Sequence, residues 1–97
     1  MAANDDLNYA AGCLVQAMLG LITPNWRAVF VTREHSEISV TFILATESVE
    51  DRNGIEDVTL DYEALLPDCG VSIVVIVNDL PLGIFPKNGR LVYRRKE

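Results

Sequence analysis

Residues Trp26–Ala45 read WRAVFVTREHSEISVTFILA. Side chains on a strand alternate between its two faces, and both halves of this stretch follow that period of two. In the second half Ile38, Val40, Phe42 and Leu44 form one row against Ser39, Thr41, Ile43 and Ala45. In the first, Trp26, Ala28, Phe30 and Thr32 are expected on one side and Arg27, Val29, Val31 and Arg33 on the other. The polar Glu34-His35-Ser36-Glu37 between them reads as a turn. Two such strands predict an antiparallel hairpin.

Before the hairpin the period is helical. Leu7, Ala10, Ala11, Leu14, Val15, Met18 and Leu19 fall on one stripe, with Asn4 as the expected cap and Asp5 and Asp6 at the positive end. Gly20 and Pro24 stop it, and Gly12 inside it suggests a close neighbour. After the hairpin, Ser48 with Asp51 resembles a capping box, and Asn53-Gly54 is expected to bend or break the early turn. Ile55, Val58, Tyr62, Leu65 and Leu66 then mark the core side of a second helix, ended by Pro67-Asp68-Cys69-Gly70. Val71–Val77 is apolar on both faces and reads as a third, central strand. Residues 78–88 form an unusually apolar loop, with Leu80, Leu82, Ile84 and Phe85, and the charged Arg90–Arg95 suits a short edge strand. The order α-β-β-α-β-β predicts an α+β fold, two helices packed on one face of a four-stranded antiparallel sheet.

The chain has 97 residues, 49% of them hydrophobic, enough for a single domain over 1–97 with one core. No apolar run approaches the roughly 20 residues of a membrane helix. The opening residues lack the basic region of a secretory signal. A soluble, cytoplasmic protein without a membrane partner is expected.

Charge is distributed unevenly. Glu47–Asp68 contains eight acids and one base, Arg52, a net of −7, while the whole chain carries −6. A solvated helix that keeps the protein soluble accounts for such a run. From charge alone that is the more ordinary reading; the sharper one is a surface aimed at a basic partner, and direct binding of nucleic acid is disfavoured because phosphate would be repelled.

Catalytic patterns are missing. His35, the one histidine, sits in the hairpin turn without a nucleophile or orienting acid assigned to it. Cys13 and Cys69 have no second ligand at metal-binding spacing, and no phosphate loop, nucleophile elbow or calcium loop occurs. No catalytic residue, metal or cofactor is expected, and the protein reads as a non-enzyme.

A regular helix through 55–66 places Leu60 almost opposite the core stripe. Asp57 and Ala64 lie beside it, Glu56 and Glu63 flank one side, and Asp61 stands at the margin. Exposed leucines are common and need no special cause. A leucine ringed by acids also has the anatomy of a hot spot for a basic, partly apolar partner. Glu56, Asp57, Leu60, Asp61 and Glu63 are therefore the candidate binding residues.

Met18-Leu19-Gly20-Leu21-Ile22, then Pro24-Asn25-Trp26-Arg27 and the hairpin, resemble the opening of small bacterial immunity proteins. Tyr62-Glu63-Ala64-Leu65, Val75-Ile76-Val77 and Val92-Tyr93-Arg94-Arg95 continue that resemblance from Leu14 onward. Such proteins belong to contact-dependent growth inhibition and related polymorphic-toxin systems. The resemblance implies a cytosolic protein that binds and blocks a cognate toxin domain, often a nuclease with a basic active site. Opposite charge would speed that encounter. Two other readings stay open. One is a nucleic-acid mimic or antitoxin-type inhibitor of another nucleic-acid-binding protein. The other is a small regulatory or assembly subunit that dimerises through a sheet edge or the 80–85 loop.

Overall fold

The computed structural model describes residues 3–34, 37–67, 69–81, 83 and 89–96. Helix α1 (Ala3–Met18) leads into strands β1 (Trp26–Glu34) and β2 (Glu37–Leu44); helix α2 (Val49–Leu65) follows, then β3 (Gly70–Val77) and β4 (Gly89–Arg94). His35, Ser36, Asp68, Leu82, Ile84 and Phe85, which entered the sequence reading, lie outside the described residues.

The hairpin forms as expected, with Val31 opposite Val40 and Glu34 opposite Glu37. Strand order across the sheet is β3-β2-β1-β4. The expectation of a wholly antiparallel sheet is corrected here: β3 runs parallel to β2, from Glu37 beside Gly70 to Leu44 beside Val77. The physical reason is the 17-residue α2 between them, which carries the chain back to the end where β2 began. A helix of that length is the usual crossover between parallel neighbours. The expectation that β3 is central is also corrected, because it forms one edge and β1 and β2 fill the middle. Its second apolar row is accordingly uncovered: Val74 and Ile76 are each 41% exposed.

One core joins both helices to the sheet. Leu7, Ala10, Leu14, Ala17 and Met18 of α1 meet Ile55, Val58 and Tyr62 of α2, Val29 and Val31 of β1, and Ile38, Val40, Phe42 and Leu44 of β2. Trp26 enters this core too, against the alternation expected for it. A register shift between Trp26 and Ala28 inserts Arg27 as an extra residue and turns the indole to the side of Val29 and Val31. There its ring meets Phe42 edge-on, with centroids 5.4 Å apart. Val15 and Leu19, on the flank of the predicted stripe, are exposed.

Local punctuation divides similarly. Gly20 has φ 79°, the left-handed conformation that ends α1 at little cost for glycine. Asn4 lies inside α1 and not before it. A Cβ at Gly12 would meet nothing within 4 Å, so no close neighbour explains that glycine. Asn53-Gly54 does not break α2, which runs through both residues.

Tyr62 shows how the helices are joined. Its hydroxyl donates to the Ala10 carbonyl oxygen at 2.9 Å in a buried setting. Burial raises the phenol pKa above its ordinary value, and the Cys13 and Cys69 thiols push it the same way. Tyr62→Phe should cost about 1 kcal/mol near neutral pH, the worth of one such hydrogen bond. A folded-state pKa above the unfolded value means that the tyrosine stabilises fully below pH about 10 and progressively less above it. Urea midpoints of the two proteins should therefore converge as pH rises past that point. A constant gap would show that the hydroxyl does not titrate with unfolding.

Candidate functional site

The acidic segment begins at a buried anchor. Ser48 caps α2, its Oγ accepting from the Asp51 amide at 3.1 Å. The Ser48 amide donates to Glu47 Oε2, so the reciprocal half of a capping box does not form at Asp51. The Asp51 carboxylate instead turns inward and is 5% exposed. Oδ1 accepts from Thr23 Oγ at 2.8 Å, and Oδ2 accepts from Asn25 Nδ2 at 2.7 Å. Asn25 also donates to the Thr46 carbonyl, and its Oδ1 accepts from the Thr46 amide and hydroxyl. One of the eight acids thus ties the α1–β1 connection to the start of α2.

Asp51 at one end and Tyr62 near the other fix the roll of α2 about its axis. Ile55, Val58 and Tyr62 point into the core, and Glu56, Asp57, Leu60, Asp61 and Glu63 are exposed. Leu60 is 68% exposed, the outward position that the helical period predicts for it. Leu65, expected in the core, is partly exposed and faces α1, where it lines a hollow with Tyr9, Cys13 and Gln16.

The five candidate residues do not form a single patch. Leu60 and Glu56 line a groove of about 440 Å³ with Arg52, Ile55, Thr59, Ile73 and Val75, between α2 and β3. Glu63 follows Glu56 by seven residues, two turns of helix, and so projects on the same side. Asp57 and Asp61 stand round the helix from that groove and do not line it. Arg52, the single base of the segment, is held by Glu47 through Nε at 2.6 Å and Nη2 at 2.8 Å. That contact lowers the Glu47 carboxyl pKa below its ordinary value.

Sequence reasoning missed the β3 contribution, Ile73 and Val75. The signal was present in the length of the segment between Leu44 and Gly70. A helical crossover of that size makes β3 a parallel neighbour of β2 and lays α2 beside it.

Among the described residues no group of three His, Cys, Asp or Glu side chains is placed to hold a metal ion. No described helix is long and apolar enough to cross a membrane. The cysteines are half-buried and unbridged.

No curated protein matches this sequence. The family model of the MafI2 immunity protein matches residues 10–97, from the middle of α1 through the last strand. The resemblance read from the residues alone is thereby given its family: the chain belongs to the MafI2 immunity proteins.

Proposed function

We propose that this protein binds a cognate toxin domain in the cytoplasm and neutralises it by direct contact, without catalysis of its own. The family match over 10–97 carries this reading. The exposed acids of α2, with Leu60 standing among them, support a basic toxin surface and hence a nuclease, whose active site must hold phosphate. An acidic blocker of such a surface gains a fast encounter, toward about 10⁸–10⁹ M⁻¹s⁻¹, and discriminates against wrong partners by repulsion.

The test is a search of the neighbouring genes for a toxin domain and co-expression of any such domain with this chain. A one-to-one complex should survive gel filtration, and growth should be protected when the toxin is active. Absence of both complex and protection would remove the reading. The purified protein alone should neither shift nor cut RNA or DNA at moderate salt. A robust shift would favour direct action on nucleic acid instead.

A further inference from the structure

The two edges of the sheet are built differently. β4 is six residues long, contains Arg90 and Arg94, and is followed by Arg95 and Lys96. Charged side chains on a short strand are a common protection against unwanted pairing. β3 has no such protection. Its eight residues, GVSIVVIV, include no charge and no proline. All eight positions pair with β2 on one side, and no described strand lies on the other. Both rows of its side chains are mainly apolar, Val71, Ile73 and Val75 toward the core and Val74 and Ile76, with Ser72, on the opposite side. A strand with two apolar rows suits a central place in a sheet, and in this protein it stands at the edge.

The groove completes the picture. Ile73 and Val75 form its floor on the β3 side, and Leu60, Ile55 and Thr59 form its wall on α2. Glu56 lies on its rim and, among the described residues, makes no ion pair. Arg52 on the same rim is engaged by Glu47.

We infer that the open edge of β3 accepts an extended, basic segment of the partner, which adds a fifth strand to the sheet. Its apolar side chains enter the α2–β3 groove, and a lysine or arginine meets Glu56, with Glu63 two turns beyond. Backbone hydrogen bonds supply affinity in such strand addition, and the side-chain pockets supply selectivity. Charge selects this occupant over a second copy of the chain. A copy carries the same net −6, and a symmetric β3–β3 pairing would bring two acid-bearing α2 helices toward one another. The inference rests on the proposed toxin-binding role and specifies where and in what form the toxin is held.

Hydrogen exchange reads the edge directly. Successive amides along β3 point alternately toward β2 and away from it, so every second amide should exchange freely in the protein alone. The labelled protein is compared free and bound to the inactivated toxin domain that the co-expression test identifies. Outward amides within 71–77 should slow at least about 100-fold in the complex. Glu56→Lys should weaken binding at least about tenfold, whereas Asp61→Lys, the same charge change away from the groove, should cost less than about threefold.

If a complex forms but the outward amides are unaffected, the strand inference falls and the toxin-binding role stands. Equal losses from both charge reversals would overturn the groove as the contact in the same way. Outward amides already protected in the protein alone, and released on dilution, would identify a second copy as the occupant and overturn the basic segment. Failure to form any complex removes the toxin-binding role itself.

Discussion

Replacing Asp51 by alanine should lower the unfolding free energy by about 3 kcal/mol, as judged from urea denaturation. The carboxylate accepts from Thr23 and Asn25, and its own amide is held by the Ser48 cap. Hydrogen bonds to a charged acceptor are worth about 1.5–3 kcal/mol each, and removing the acceptor leaves Thr23 and Asn25 short of a partner in a partly buried setting. Favourable charge at the first turn of α2 is lost as well. Asp51→Asn should recover part of the loss, since one amide oxygen still accepts. By contrast Glu50→Ala, one residue earlier and exposed, should change stability by less than about 0.5 kcal/mol. Equal effects from Asp51→Ala and Glu50→Ala would mean that Asp51 acts only through charge and that the buried contacts are immaterial.

The second large effect is expected in binding. Leu60→Ala should weaken the toxin complex by about 1–3 kcal/mol, roughly 5- to 150-fold in Kd, mainly through faster dissociation. The side chain is 68% exposed in the free protein, so its truncation should leave the melting temperature within about 2 °C. Charge reversal at Glu56 should also slow association and flatten its dependence on salt, because exposed charges act on the encounter. Titrations paired with thermal melts separate these outcomes. A Leu60→Ala protein that melts lower yet binds normally would place the leucine in the fold's support and not in the contact.

Much of this molecule is legible in its sequence because helix and strand differ in hydrophobic period. The hairpin, both helices and the outward direction of Leu60 follow from that period, with no tertiary information. The direction of β3 does not. Val71–Val77 has the same local pattern whether it runs with β2 or against it, and only the crossover through α2 distinguishes the two. Its apolar rows suggested a central strand because burial by this chain was assumed, and burial by another molecule leaves the same signature. Trp26 was misplaced for a different reason: a one-residue bulge reverses the alternation, and nothing in WRAVF announces it. Asp51 lay hidden among eight acids, since composition does not distinguish a solvated carboxylate from one that Thr23 and Asn25 hold inside. For the candidate site, the period identified the α2 residues and gave no access to their neighbours on β3.

The pairing of β4 with β1 has a consequence for synthesis on the ribosome. Ala28 lies beside Arg94, so the first strand made waits for the last one, 66 residues later. At roughly 5–20 residues per second, that interval is about 3–13 s. Once β2 has been made, β1 can form its hairpin with it while its other side stays open. Nascent chains paused before residue 89 should therefore be captured by chaperones that bind exposed strands, and release should coincide with emergence of β4. A cell that depends on this protein for protection gains none from chains still being made.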